Sequence, residues 1–373
     1  MFYFIPGVYL PNTAATNRCL AYLRYLSEQK IETTVVFFSP NKQGYEMPSM
    51  NCVHVKSLWK NYLFKKGSLI YISILVNLLL FRFHLRKGDI VYCYENVNYW
   101  KLFLKKGIKV FSEYTENPEV IGLGGKFLYT SKKQFGKYCK QLTGLFVIST
   151  ALKEYFIRIG VDEKRIYFIN IIVDGSRFNG IKKETNIEPY IAYCGSAYNN
   201  KDGVNQLIKA FSITVKEYPN YKLYIIGANP KKEQEGTNVQ LAKDLGIENN
   251  VVFTGIIPSD RMPQILMNAQ ILVLDRPNNV QAQYGFPTKL GEYLLTGNPT
   301  VLTRVGDMPL FLEDKVSTVF ACPDNPEDFS SKIVWCLNNY EKAKEIGQRG
   351  KEVAKKHFSY AVETQKMLDV IFN

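Results

Sequence analysis

Short runs of β-branched and aromatic residues alternate with segments of helical periodicity along all 373 residues of the chain. This alternation is typical of parallel sheets whose strands are joined by right-handed helical crossovers. It fills two successive stretches of roughly 180 residues, against a usual domain size of about 150. We therefore predict two Rossmann-like, doubly wound parallel-sheet α/β domains facing a cleft. The predicted strands are Phe2–Pro6, Thr33–Phe38, Cys52–Val55, Asp89–Tyr94, Lys109–Tyr114, Leu145–Ser149, Ile166–Asn170, Tyr190–Cys194, Lys222–Ile226, Val251–Thr254, Ile271–Leu274, Thr300–Thr303 and Thr318–Phe320.

The domain boundary is predicted in residues 180–188, which are polar, lack periodicity and precede a new strand. The first domain then covers residues 1–183 and the second covers 184–358. The amphipathic segment 359–373 is expected to pack back on the first domain. The predicted helices are Thr16–Gln29, Lys126–Leu142, Gly203–Tyr218, Pro258–Asn268, Thr288–Thr296, Pro326–Lys356 and Ser359–Phe372.

The charge of the chain is concentrated in its first half. Residues 1–183 contain 27 Lys and Arg against 12 Asp and Glu, a net charge of +15, whereas residues 184–373 contain 20 against 22, a net charge of −2. Such asymmetry indicates a polyanionic partner, either an anionic membrane surface or nucleic acid. A merely solvated basic face is the alternative.

One apolar segment with basic flanks, Lys65–Lys87, is a candidate for contact with a membrane. Its uncharged core, Leu69–Phe81, is shorter than the roughly 18 residues that a membrane span needs. It is either an interfacial helix lying on a membrane or a buried crossover helix of the first sheet. A second basic helical face is formed by Lys132, Lys133, Lys137 and Lys140.

The cysteines and histidines bear on compartment and metal binding. Seven cysteines without C-x-x-C spacing indicate a reducing compartment. The three histidines are far apart, and the chain has neither H-E-x-x-H nor D-x-D. We therefore expect a cytoplasmic protein, peripheral on the inner face of the cell membrane, without a metal or other cofactor.

The strongest chemical signal is the segment Tyr284–Val301, in which Gly-Phe-Pro-Thr-Lys opens a helix with Thr288 as its cap. The peptide N–H groups and the dipole at such a helix start bind anions, and Lys289 adds a cation. Glu292, at the end of the first turn, is placed to accept hydrogen bonds from two ribose hydroxyls. An ordinary capped helix with a solvated glutamate is the alternative.

Two weaker signals follow other strands. The strand Tyr190–Cys194 ends in Gly195-Ser196, and the polar loop after it carries Lys201, which can reach a diphosphate as a point charge. A surface lysine is the alternative. Gly7 follows the first strand and allows close approach of a ligand to the backbone, although one glycine is not a dinucleotide motif.

Together these motifs resemble those of the retaining GT-B glycosyltransferases of family 4, the glycosyl transferases of group 1. Gly195-Ser196-x(4)-Lys201-x-Gly203 is similar to the family's G-R-x(4)-K-G loop. Residues 285–293 are similar to its G-F-P-[ST]-K-x-x-E-Y form of the E-x(7)-E motif. Residues 148–178 resemble its v-S-x-x-l-k … v-i-x-n-g-v-D-x-x-x-F region, and residues 252–255 its v-x-f-x-G strand. The similarity runs from Gly7 to the terminal helix and is specific in residues 144–305.

The resemblance implies transfer of a sugar from a nucleotide-diphosphate-sugar donor, bound on the second domain, to a glycan or lipid-linked acceptor on the first, in cell-surface polysaccharide synthesis. Glu292 would hold the ribose, Lys201 and the backbone of residues 286–288 the diphosphate, and the backbone of Ile256–Ile257 the base. The implied donor-binding residues are Gly7, Gly195, Ser196, Lys201, Ile257, Gly285, Phe286, Pro287, Thr288, Lys289 and Glu292.

Two positions depart from the family pattern. The loop arginine is Ser196 here, and the first glutamate of E-x(7)-E is Tyr284. Either Gln281 or Gln283 takes over the contact with the sugar hydroxyls, or the sugar needs no such contact. A third alternative is that Ser196 and Tyr284 alter or abolish the activity.

The implied reaction is a metal-independent, same-face transfer in which the leaving diphosphate helps to deprotonate the acceptor. Fixed donors aimed at developing charge are usually the largest catalytic contribution, about 10²–10³ in rate for one donor. We assign this role to Lys201 and to the helix start at Thr288. Glu113 and Glu116 of the first domain are candidate catalytic carboxylates, with solvated loop carboxylates as the alternative.

Two other classes of function compete with the transferase. A nucleotide-sugar epimerase of the same architecture would turn over donor without an acceptor. A non-catalytic protein that binds membrane or nucleic acid would also explain the basic half. Nucleic-acid binding is not expected, because the chain contains no recognisable module for it.

Overall fold

The computed structural model describes residues 1–7, 13–38, 47–58, 70–95, 97–121, 130–195, 202–227 and 237–373. They form two compact units. The first unit contains residues 1–172 together with 360–373, and the second contains 173–359. The division falls at Ile172 and Val173, before the linker placed at 180–188, and the last helix groups with the first unit.

The first unit is built on a seven-stranded parallel sheet with the strand order β3-β2-β1-β4-β5-β6-β7. The order reverses between β1 and β4, which is the doubly wound arrangement. The strands are β1 Phe2–Ile5, β2 Thr33–Phe37, β3 Val53–Ser57, β4 Ile90–Tyr94, β5 Lys109–Tyr114, β6 Gly144–Val147 and β7 Ile166–Phe168.

Helices cover both faces of this sheet. Successive residues of a strand point to opposite faces, so one strand contacts helices on both sides. Phe4 packs against Tyr22 of α1, whereas its neighbour Tyr3 packs against Phe81 of α2. The C-terminal helix α14 lies beside α1, and its Met367 joins the same core cluster. The helices of this unit are α1 Ala14–Glu28, α2 Ile70–His84, α3 Val97–Phe103, α4 Pro118–Ile121, α5 Lys132–Cys139, α6 Thr150–Arg158 and α14 Tyr360–Phe372.

The second unit is built on a six-stranded parallel sheet with the order β10-β9-β8-β11-β12-β13, which reverses between β8 and β11. Its strands are β8 Tyr190–Cys194, β9 Lys222–Ile226, β10 Val251–Gly255, β11 Ile271–Leu274, β12 Thr300–Thr303 and β13 Val319–Ala321. Its helices are α7 Val204–Glu217, α8 Asn238–Asp244, α9 Met262–Asn268, α10 Val280–Tyr284, α11 Lys289–Thr296, α12 Pro326–Asn338 and α13 Tyr340–His357.

The predicted fold class, two doubly wound parallel-sheet α/β domains, is confirmed. Each predicted strand is present, with ends that differ by no more than a few residues. The single helix predicted over Pro326–Lys356 is wrong, because Asn339 leaves the helical conformation with φ −121° and ψ 44° and separates α12 from α13. The side chain of Asn339 donates to the carbonyl of Trp335 at 2.9 Å, which stabilises this break.

Candidate functional site

The reversal of strand order in the second sheet places the ends of β8 and β11 side by side. Ligands of doubly wound sheets bind outside the carboxyl ends of the strands at such a reversal. The residues that follow these strands are Gly195 after β8 and Asp275 and Arg276 after β11. This edge is therefore the expected ligand site of the second unit.

Three glycines follow or end the neighbouring strands β8, β9 and β10. Gly195, Gly227 and Gly255 all have positive φ, at 155°, 91° and 69°. A Cβ atom on Gly227 would lie 2.9 Å from the carbonyl oxygen of Gly195, so the backbones approach closely and only glycine fits. The predicted binding residue Gly195 thus lies directly after β8, at the carboxyl edge of the sheet.

A cluster of charged side chains lies at Gly195. Lys289 forms an ion pair with Asp202 and donates to the hydroxyl of Tyr193 at 3.2 Å. Its Nζ atom would lie 2.0 Å from a Cβ built on Gly195. Asp202 also accepts from the hydroxyl of Tyr193 at 2.8 Å and lies 3.6 Å from Nε of Arg276.

The local sequence explains why these side chains meet. Asp202 precedes helix α7, and the carbonyl of Asp275 accepts from the amide of Gly203, which brings the loops after β8 and β11 together. Arg276 is buried, and its amide donates to Thr303 at 2.8 Å. Lys289 begins α11, so its side chain extends back towards Gly195.

The electrostatics of this cluster favour an anion. Burial alone would raise the pKa of Asp202, but Lys289 and Arg276 outweigh it and hold that pKa below its usual value. One carboxylate thus faces two cations, so these three side chains carry a net charge of +1 beside Gly195. A positive, partly buried site at a helix start is suited to phosphate groups.

The start of helix α11 differs from the prediction in one respect. Thr288 is itself helical, with φ −59° and ψ −32°, and its side chain makes no capping hydrogen bond. The prediction that Thr288 caps the helix is therefore wrong. The Phe286 ring is buried against Phe311 and Phe358, so only its backbone can meet a ligand. Pro287 is also buried, whereas Gly285 is partly exposed.

Glu292 lies one turn after Lys289 on the same helix and is engaged with Arg177. The two form an ion pair, and Arg177 also donates to the carbonyl and hydroxyl oxygens of Ser259 at 2.6 and 3.1 Å. Burial raises the pKa of Glu292, and Arg177 counteracts part of that shift. The Glu292 side chain is 22% exposed, so a ligand can reach it.

The predicted contacts to the base and the sugar lie on the loops nearby. Ile256 is 81% exposed directly after Gly255, and Ile257 is partly exposed. Tyr284 and Gln281 are partly exposed, and Gln283 is exposed. Their roles towards base and sugar stay predictions.

Lys201 and Ser196, both predicted to lie at the diphosphate, fall outside the described residues. The catalytic assignment of Lys201 therefore stays a prediction. The described part of the same loop contributes Asp202, which the sequence did not single out.

In the first unit, Glu113 lies inside strand β5 and is fully buried. Its carboxylate pairs with Arg18 at 2.5 Å and accepts from the hydroxyls of Tyr22 and Tyr92. This burial counts against Glu113 as a catalytic carboxylate, and it also contradicts the alternative of a solvated loop carboxylate, because its oxygens are engaged in an ion pair of the core. Glu116, two residues beyond the strand, is partly exposed and stays a candidate.

Sequence reasoning also missed Glu95, which lies at the strand-order reversal of the first sheet. Gly7 follows β1 with φ 77°, and Glu95 follows the adjacent β4 with φ 53°. The Glu95 carboxylate accepts from the amide and the hydroxyl of Thr115, and burial raises its pKa. A non-glycine residue with positive φ at a carboxyl edge is a common mark of a functional position.

No cluster of three or more His, Cys, Asp and Glu side chains suited to a metal occurs among the residues that the structure describes.

The charged cluster of Asp202, Arg276 and Lys289 lies within the part of the chain that matches a family model. Residues 188–339 match the family model described as Glycosyl transferases group 1. Mannosylfructose-phosphate synthase of Agrobacterium fabrum is 23% identical over 226 residues, which cover 57% of this chain and 48% of the synthase. The chain spans about half the length, or less, of the first curated relatives it matches, at 48, 39 and 37%.

Solved structures resemble the whole chain. The Anabaena protein Alr3699/HepE in complex with UDP has a TM-score of 0.74 and 14% identity, with 100% of this chain and 99% of that chain covered. The glycosyltransferase from Rickettsia africae has a TM-score of 0.76 and 16% identity, with 99% and 97% covered. At this identity the likeness establishes the fold, which is GT-B.

Proposed function

We propose that this protein is a glycosyltransferase that moves a sugar from a nucleotide-diphosphate-sugar donor to a glycan or lipid-linked acceptor. The observation that carries the proposal is the positive cluster of Lys289, Arg276 and Asp202 at the strand-order reversal of the second sheet, with Glu292 one turn further along α11. The match of residues 188–339 to the group 1 glycosyl transferases supports it.

The donor would lie with its diphosphate at Gly195 and Lys289. The start of α11 and Lys201 would contribute further positive charge, the first through the helix dipole. Lys289 would in part replace the loop arginine that is Ser196 here. A uridine donor is favoured, because the similar structure Alr3699/HepE was solved with UDP and with UDP-glucose.

Glu292 would bind the ribose hydroxyls in competition with Arg177. Arg177 favours the ionised carboxylate, which is the form that accepts two hydrogen bonds. When the ribose binds, Arg177 can remain on Ser259 and share one Glu292 oxygen. The base would then lie on the exposed Ile256 and the backbone of Ile257.

The proposed reaction is retaining and metal-independent. The bond from the anomeric carbon to the diphosphate oxygen breaks, and the acceptor oxygen forms its bond on the same face of the sugar. The acceptor proton passes to the leaving diphosphate, so the protein needs no separate base. Lys289, Lys201 and the start of α11 would stabilise the charge that develops on the leaving group.

The acceptor side is proposed on the first unit. Gly7, Glu95 and Glu116 lie at or beyond the carboxyl ends of its strands, where ligands of such sheets bind. The net charge of +15 in residues 1–183 suits an acceptor on an anionic membrane. We place the enzyme at the cytoplasmic face of the cell membrane, in cell-surface polysaccharide synthesis.

A thermal-shift screen of UDP-, GDP-, ADP- and CMP-sugars tests the donor. A ligand at 100 times its dissociation constant adds about 2.7 kcal/mol to stability, so the true donor should raise the melting temperature clearly. Glu292→Ala should abolish that shift. The transferase proposal fails if no nucleotide sugar is bound. It also fails if the donor is epimerised without an acceptor.

A further inference from the structure

Helix α2 (Ile70–His84) is apolar on its exposed side as well as on its buried side, unlike an ordinary surface helix. The side that packs on the first sheet buries the polar residues Ser73 and Asn77 beside apolar ones. The Asn77 side chain donates to the carbonyl of Leu58 at 3.3 Å. The opposite side, here called the outer face, consists of Tyr71, Ile72, Leu75, Val76, Leu79, Leu80 and Phe83.

Most of the outer face is exposed, and Leu75 and Val76 are partly exposed. Leu80 is 61% exposed and Phe83 is 78% exposed, and Tyr71, Ile72 and Leu79 are also exposed. Soluble helices normally carry charged and polar residues on this side. Contiguous exposed apolar surface marks an interaction site. Arg82, at the edge of the face, is turned towards the carbonyl oxygens of Leu102 and Leu104.

Basic side chains border one end of the outer face. The loop after α2 is joined to the loop before β5, because the amide of Gly88 donates to the carbonyl of Gly107 at 2.8 Å. The carboxylate of Asp89, at the end of the loop after α2, is largely buried and forms an ion pair with the amino group of Met1 at 2.9 Å. The exposed residues of these loops form a basic rim of Arg86, Lys87, Lys105 and Lys106.

We propose that the outer face and the basic rim are the surface by which this protein docks on an anionic lipid bilayer. A bilayer offers an apolar interior to the outer face and anionic headgroups to the rim, which is how interfacial helices bind. A second copy of the chain fits less well, since it would bring two basic rims together. This inference does not rest on the donor site, because docking needs no nucleotide.

The position of α2 determines how the first unit lies on the bilayer. The helix connects the parallel strands β3 and β4, so its axis runs antiparallel to them. A bilayer lying on the outer face is therefore parallel to the strands. The carboxyl edge of the first sheet, with Gly7 and Glu95, then opens along the membrane surface, where a lipid-linked acceptor can reach it.

Vesicle flotation with the full-length protein tests the proposal. Phosphatidylcholine vesicles with and without phosphatidylglycerol are compared at 50, 150 and 500 mM NaCl, concentrations chosen to span the screening of surface charge. We expect binding to the anionic vesicles that weakens as salt rises. Leu80→Glu and Phe83→Glu should each reduce the partition coefficient by roughly tenfold or more. Lys105→Ser and Lys106→Ser should reduce it roughly fivefold each.

The matched control is Leu310→Glu, which replaces a leucine that is 69% exposed in the second unit and should bind vesicles like the wild type. Circular dichroism checks that each variant is folded. The proposal is overturned if neutral and anionic vesicles bind alike. It is also overturned if Leu80→Glu binds like the wild type, or if it converts a dimer to a monomer without changing vesicle binding.

Discussion

Replacing Lys289 by Met tests whether the charged cluster at Gly195 binds a diphosphate. Methionine keeps most of the length and apolar character of the side chain, which lies over the Tyr193 ring with Nζ 4.5 Å from the ring centroid. It removes one charge, so the net charge of the cluster falls from +1 to zero. A hydrogen bond to a charged group contributes about 1.5–3 kcal/mol. We therefore expect the dissociation constant of UDP to rise roughly 10- to 150-fold.

The fold should survive this change, because Asp202 keeps Arg276 at 3.6 Å and the Tyr193 hydroxyl at 2.8 Å. Lys222→Met is the matched control. It removes one charge at the amino end of β9, in the same sheet, where Nζ donates to the carbonyl of Asn249 at 3.0 Å. Its effect on nucleotide affinity should stay within threefold.

Isothermal titration of UDP and uridine separates the diphosphate from the nucleoside. GDP with guanosine and ADP with adenosine are titrated in parallel. Lys289→Met should weaken the diphosphate and leave the nucleoside unchanged, whereas Glu292→Ala should weaken both, because the ribose is common to both. Equal losses of UDP and uridine affinity in Lys289→Met, or a change below threefold for every diphosphate, would refute the assignment of Lys289.

Three further predictions concern the same two units. Burial and Asp324 raise the pKa of Asp275 to about 7, so the protonated carboxyl stabilises the fold fully below about pH 4 and this stabilisation is lost as the pH rises through 7. In the wild type the free energy of unfolding should therefore fall by at most about 4 kcal/mol between pH 4 and pH 7 from this group alone, and Asp275→Asn should lack that fall in urea unfolding. The same pH dependence in the variant and the wild type would contradict this. Arg18→Met leaves the Glu113 carboxylate buried without its cation, and the free energy of unfolding should fall by about 3–5 kcal/mol; a loss below 1 kcal/mol would count against a core ion pair. Gly195→Ala should displace the Lys289 ammonium and weaken UDP binding, and it should cause no further loss in a Lys289→Ala background; additive losses would show that the two residues act separately.

Most strands were predictable because they are short runs of β-branched and aromatic residues that a parallel sheet buries on both faces, although the edge strand β3 is largely exposed. The boundaries of β8 and β11 follow directly from the sequence, and so does the position of Gly195 at the carboxyl edge of the sheet. Lys289 and Glu292 were found because they occupy fixed positions after Pro287 at a helix start. This one helix start thus predicted two of the residues at the candidate site, Lys289 and Glu292.

The partners of these residues were not predictable, because ion pairs depend on which loops the fold brings together. Asp202 and Lys289 are 87 positions apart, and Arg177 and Glu292 are 115 apart. Glu113 lies inside the predicted strand Lys109–Tyr114, but nothing in the sequence marks Arg18 as its buried counter-charge. In the same way, the apolar run in α2 has too little periodicity to show which side meets the sheet.

Along the chain, the second unit lies between the two segments that form the first unit. The second unit is one uninterrupted stretch whose two ends lie together, since the amide of Val173 donates to the carbonyl of Phe358 at 2.8 Å. The first unit is completed only by its last helix, where the Glu363 carboxylate accepts from the amide of Asn170 at 2.7 Å and Phe372 lies against Phe2. During synthesis, residues 1–172 can therefore complete their hydrophobic core only after residues 360–373 have been made. Removal of the last helix should accordingly destabilise the first unit, although that helix is far from it in sequence.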